Sequence, residues 1–105
     1  MLNVSRDKFE EEVIKSEIPV VVDFWASWCV PCKQIESVLE ELSSKLKGKV
    51  KFVKVNIEES PDLASSYMVM SIPTLIVFNN GIPSAKKTGS ANKSDIERFI
   101  LPYIQ

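Results

Sequence analysis

The chain reads as an α/β protein with a central mixed five-stranded sheet flanked by four helices, in the order β-α-β-α-β-α-β-β-α. Three observations predict this. Apolar runs of strand length alternate with segments whose apolar residues recur every three or four positions. Two of the runs, VVVDFW at Val20–Trp25 and TLIVF at 74–78, are nearly continuous, which suits strands covered on both faces. Asn80-Gly81 then signals a tight hairpin, so the last two strands pair antiparallel. The chain has 105 residues, 45% hydrophobic and 26% charged. That is the size and composition of one globular domain, 1–105, with enough core to fold unaided.

MLNV suggests a short first strand. Ser5 opens a helical stretch with Phe9, Val13 and Ile14 on its apolar side, and Pro19 ends it. After Val20–Trp25 comes a long helix, with Ile35, Val38, Leu39, Leu42 and Leu46 at helical spacing and Gly48 as its stop. VKFVKVNI, 50–57, is the next strand. Ser60-Pro61 has the order of an N-cap followed by proline, opening a short helix to Tyr67. After TLIVF and its hairpin, a return strand reaches Gly89, and Pro83 places that strand at an edge. The last helix begins near Asn92, with Ile96, Phe99 and Ile100 on one face. Strands separated by helices can pair parallel through right-handed crossovers.

Composition excludes several classes of function. A formal net charge of −1 offers no basic footprint for nucleic acid and no polybasic anchor for a membrane. No run reaches the ~20 apolar residues of a membrane span. The N-terminus is acidic early and shows no signal peptide, which points to the cytoplasm. There is no histidine, hence neither the commonest general base nor the commonest metal ligand. The chain has two cysteines and two tryptophans, and all four fall in WASWCVPC at 25–32. In a reducing compartment, two cysteines more often do chemistry or lie idle than brace a fold.

Cys29 follows the buried strand, and Cys32 lies in the first turn of the long helix. Pro31 fits the first helical position, where the missing N–H costs nothing. Residues three apart on a helix have Cβ atoms ~5–6 Å apart, so the thiols can close into a disulfide and reopen with little chain movement. At the helix N-terminus, unpaired N–H groups and the helix dipole favour an anion. The Cys29 thiolate is thereby stabilised and its pKa should fall. Cys32, one turn further in, should be less exposed. Cys29 is therefore expected to attack and Cys32 to resolve. The competing readings are two inert buried thiols, or half of a zinc site shared across a dimer, for which no further ligand exists in the chain.

Asp23 interrupts a run that should be buried on both sides. Burial disfavours a carboxylate and raises its pKa. In this position Asp23 can accept the proton that the resolving thiol must lose, unless it sits at a solvated strand end. Lys54 shares a strand face with Phe52, so its ammonium can approach Asp23; alone it would read as a solvated lysine. Trp25 reads as core, and Trp28, on the turn beside the thiol, as contact surface. Met68 and Met70 read as core fillers. Spacing alone makes Pro73 a trans proline opening a strand.

Together these residues resemble the thioredoxin family, and the likeness spans the whole chain. DFWASWCVPCK at 23–33, Lys54, IPT at 72–74, NNG at 79–81 and TG at 88–89 carry it. The resemblance implies the thioredoxin fold, a cis Pro73 against a Cys29–Cys32 disulfide, and an Ile72 backbone that pairs with an extended substrate segment. It implies a contact surface of Trp28, Val30, Pro31, Ile72, Pro73 and Gly89, and a buried acid, Asp23, partnered by Lys54. It also implies a protein-disulfide reductase with no bound cofactor, acting on disulfide-containing proteins. A thioredoxin reductase would recharge it, either an NADPH-dependent flavoprotein or a ferredoxin-linked enzyme. A monomer is expected. The sequence departs from the common pattern in having Val30 for the usual glycine before Pro31, and Thr88 where an aliphatic residue is frequent. The alternatives are an oxidant or isomerase on the same fold, or a docking module with incidental thiols.

Overall fold

The run at Val20–Trp25 becomes the middle strand of the sheet, as its lack of polar alternation requires. The computed structural model describes residues 1–104; Gln105, which falls within the expected domain, lies outside them. The strands are β1 (Leu2–Asn3), β2 (Val20–Trp25), β3 (Lys51–Asn56), β4 (Thr74–Asn79) and β5 (Ile82–Thr88). The helices are α1 (Arg6–Phe9), α2 (Val30–Lys45), α3 (Pro61–Ser66) and α4 (Lys93–Ile100). A π-helical turn (Glu10–Ile14) continues α1, and a 3-10 turn (Leu101–Tyr103) follows α4. The sheet order is β1-β3-β2-β4-β5.

β1 and β2 both pair parallel with β3, while β4 runs antiparallel to β2 and β5 antiparallel to β4. Strands separated by helices therefore pair in both senses. The reason lies in the lengths. α2 has 16 residues and carries the chain back along the whole sheet, so β3 starts level with β2. α3 has only 6 residues, about 9 Å of rise, too short to traverse a strand of similar residue count. The chain thus enters β4 at the end where it left β3. Thr74 pairs with Phe24, and the loop before it arrives beside the end of β2.

Both faces of β2 are covered. Val20, Val22 and Phe24 pack with Val53, Val55, Ile76 and Phe78 against Phe9, Val13 and Leu63. Val21 packs with Phe52, Leu75 and Val77 against Ile35, Leu39 and Leu42 of α2 and Ile96 and Ile100 of α4. Each fully buried aliphatic or phenyl side chain contributes roughly 1.5–3 kcal/mol. α4 is closed by a capping box in which the Asn92 side chain accepts from Asp95 N–H and Asp95 accepts from Asn92 N–H.

Local details depart from the sequence reading. The first helical stretch is α-helical for one turn and then π-helical, with Lys15 N–H donating to Glu10 O at 2.9 Å. Ser60 stands at the N-cap of α3, but its side chain makes no capping bond. Met68 and Met70 are not core fillers: they are 72% and 95% exposed. After α3 the chain turns through a left-handed residue, Met68 at φ 54, and continues as an irregular segment. Tyr67 and Val69 take the inward places, Tyr67 edge-on to Phe78 at 5.0 Å, and the methionines between and beyond them point to solvent.

The hairpin tip carries a double constraint. Asn80 and Gly81 both have positive φ, at 55° and 78°, as a two-residue turn of this hand demands. A Cβ at Gly81 would also lie 2.7 Å from the Ile14 carbonyl oxygen, at the end of the π-helical turn. Gly48, at φ 89°, has open space around it. Gly48→Ala should therefore cost about 1–2 kcal/mol from backbone conformation alone. Gly81→Ala should cost clearly more, read as the larger drop in urea midpoint at unchanged slope; equal costs would show that the Ile14 contact yields freely.

Candidate active site

Two ends of chain meet at the carboxyl edge of β2. Residues Ala26 to Cys29 turn directly into α2, and Cys29 is its N-cap. Val30 takes the first helical position and Pro31 the second, one place later than expected. The second N–H also lacks an intrahelical partner, so the proline costs no bond there either. The third, that of Cys32, donates to Cys29 Sγ at 3.2 Å. Cys29 and Cys32 form a disulfide with Cα atoms 5.3 Å apart. The expected difference in exposure is slight, at 4% and 3%. What separates the two sulfurs is the helix: only Cys29 stands in front of its N-terminus and receives a main-chain N–H.

The second end is the loop into β4. The Ile72–Pro73 peptide bond is cis, against the trans form that spacing alone favours and in agreement with the family likeness. Ile72, Trp25 and Ile57 pack around the buried cluster of Ala26, Cys29 and Cys32. Gly89, at φ 92°, donates its N–H to Pro73 O at 2.8 Å, which ties the end of β5 to this loop. Trp28 and Val30 are 64% and 62% exposed, and Pro31 is exposed beside them. A buried disulfide thus lies within an apolar, solvent-facing rim.

Asp23, 3% exposed, lies on the β2 face that α2 covers. Its Oδ1 has no hydrogen-bond partner among the described residues. Burial, the dominant cause, raises its pKa from 3.8 to about 7; Lys54 pulls the value down and Glu36 pushes it up. Lys54 is the direct cross-strand neighbour of Asp23 in the β2–β3 register. Its ammonium is directed elsewhere: Nζ stands 3.5 Å from Glu36 Oε1 and 4.6 Å from the centroid of the Trp25 ring. Among the described residues no ion pair within 4.0 Å joins Lys54 to Asp23, so its influence on the acid acts through space. Glu36 had no place in the sequence reading. Its spacing, four residues after Cys32 on one helix face, was the available signal. Among the described residues no group of three or more acidic, Cys or His side chains could hold a metal ion, and no helix is long and apolar enough to cross a membrane.

Comparison with known proteins agrees with this arrangement. The thioredoxin family model matches residues 1–101. The chain belongs to the thioredoxin family. It is similar to the thioredoxin of Rickettsia bellii, at 46% identity over 98 residues, covering 93% of each chain. It is 43% identical to that of Synechocystis sp. over 101 residues (96% of this chain, 94% of the other). It is also 43% identical to that of Pseudomonas aeruginosa over 100 residues (95% and 93%). Like other thioredoxin-family chains it is a thiol–disulfide oxidoreductase that needs no bound cofactor, and Cys29–Cys32 is its redox-active disulfide.

The raised pKa of Asp23 links stability to pH. The native state holds the proton that the unfolded chain releases, so the site's stability is full below about pH 4 and is lost as pH rises through about 7. The span from 3.8 to about 7 corresponds to at most roughly 4 kcal/mol. Urea unfolding of the oxidised protein at pH 4 and pH 8 should show a drop in the wild type that Asp23→Asn largely removes. An equal drop in both proteins would place the titration elsewhere.

Proposed function

We propose that the protein is a general protein-disulfide reductase whose chemistry is divided between Cys29, Cys32 and Asp23. The observation that carries the reading is the closed Cys29–Cys32 pair at the N-terminus of α2, with Cys29 Sγ accepting the Cys32 N–H. In the reduced form the same N–H and the helix dipole stabilise a Cys29 thiolate. That thiolate attacks one sulfur of a substrate disulfide. A Cys29–substrate bond forms, and the second substrate sulfur leaves with the electron pair. Cys32 then gives its proton to the Asp23 carboxylate and attacks Cys29 Sγ. The Cys29–Cys32 bond forms, the mixed disulfide breaks, and the first substrate sulfur leaves as a thiolate. The substrate gains two electrons, which the two cysteines lose.

Each surrounding residue has a role in this reading. Trp28, Val30 and Pro31 form the exposed rim beside Cys29, and Ile72, Pro73 and Gly89 form the opposite side, where the Ile72 backbone receives an extended substrate segment as an added strand. Val30 adds a branched, exposed side chain next to the attacking sulfur. Lys54 offsets part of the rise in the Asp23 pKa that burial causes. The partners are disulfide-bearing proteins and a thioredoxin reductase that returns two electrons, drawn from NADPH through a flavoprotein or from ferredoxin. One chain supplies every reacting group, so the protein works as a monomer of a single domain. The cytoplasm is the compartment in which its reduced form persists.

Insulin reduction driven by a dithiol should require Cys29: Cys29→Ser should be inactive, and Cys32→Ser should accumulate a covalent complex with a disulfide substrate. Turnover by Cys29→Ser would refute the division of roles. Equilibration with glutathione should give a couple more reducing than the ~−180 mV of dedicated isomerases. A more oxidising value would assign the protein to disulfide formation or isomerisation instead.

A further inference from the structure

One cation, Lys54, has two acids for neighbours, Asp23 across the strands and Glu36 on α2. Asp23 and Lys54 are direct partners in the β2–β3 register, rooted ~4.8 Å apart. A four-carbon stem can bring the ammonium to the carboxylate from there. The buried Asp23 Oδ1 nonetheless has no hydrogen-bond partner among the described residues. The ammonium is drawn to Glu36 Oε1, 3.5 Å away, and rests over the Trp25 ring. Glu36 projects from α2 one turn after Cys32, so it faces the same strip of sheet. Among the described residues, Lys54 and Glu36 are the charged groups that shift the Asp23 carboxyl. The β4 partner of Asp23 is Leu75, and Lys87, which pairs with Leu75, lies a further strand away on β5.

We propose that Glu36 is a positioning residue: its carboxylate holds the Lys54 ammonium away from Asp23 and so keeps the buried acid a strong proton acceptor for Cys32. The role rests on the reading of Asp23 given above. An ammonium in contact would stabilise the Asp23 carboxylate and weaken it as a base. With the ammonium held outward, the carboxylate is left with little compensation and its affinity for the thiol proton rises toward the match that efficient transfer requires. When Cys32 gives up its proton to close the Cys29–Cys32 bond, Asp23 holds that proton, and no charge is left unpaired inside. Glu36 also acts directly, as a like charge, in the same sense.

The test is the Asp23 carboxyl titration, followed by carbon NMR in the oxidised protein, where no thiol titrates. Glu36→Gln should lower its midpoint by about one pH unit. In a Lys54→Met background, which keeps the stem over Trp25, the same substitution should have less than half that effect. An unmoved midpoint in Glu36→Gln, or an equal fall in both backgrounds, overturns the proposal without touching the acceptor role of Asp23. The companion measurement is the pH profile of Cys32 attack on a preformed Cys29 mixed disulfide, whose acid limb should move down with the midpoint. A midpoint that falls while this profile stays fixed removes Asp23 from the step, and the role of Glu36 with it.

Discussion

β2 has no solvent face, and the rest of the molecule is arranged around that fact. A strand sealed on both sides needs a layer of helices above and below, and α2 must return along it to cover Val21 and Asp23. The turn from β2 into α2 is therefore short, and it leaves Cys29 at a helix N-terminus directly above the core. The same sealing puts a carboxylate where water cannot reach it. A charge in that place is costly, and it is tolerated where the protonated form is the one the fold holds at acid pH.

The redox pair and the acid are thus products of a single piece of architecture. The helix favours a negative sulfur outside, while the dry strand disfavours a negative carboxylate inside. Burial has raised that carboxylate's affinity for a proton. Lys54 and Glu36 shift that affinity in opposite senses, one lowering and one raising it. Lys54 is mostly buried and Glu36 is about half-exposed.

The second half of the site depends on a length. α3 is too short to run the chain back, so β4 begins beside the end of β2 and brings Ile72 and Pro73 to the cysteines. Forty residues of sequence separate Cys32 from Ile72, and only the antiparallel placement of β4 joins them. Gly89 completes the arrangement through its bond to Pro73 O.

Much of this was legible in the residues. The continuous apolar run named the central strand, the Cys-Val-Pro-Cys spacing named the thiols and their helix, and an aspartate inside VVVDFW announced itself as buried. These are local patterns, dictated by strand and helix periodicity and by the cost of burying charge. The exposure of Trp28 was legible too, from its place on a turn. What the pattern could not reach was anything set by how separate elements meet. Met68 and Met70 look like core residues until a left-handed turn after α3 aims them outward. The cis bond before Pro73 came from family likeness, since the local preference for trans is overridden only by neighbours distant in sequence. Glu36 and Lys54 are unremarkable charged residues on a helix and a strand; three-dimensional packing alone brings their charges together above Asp23, because side-chain proximity between elements has no signature along the chain.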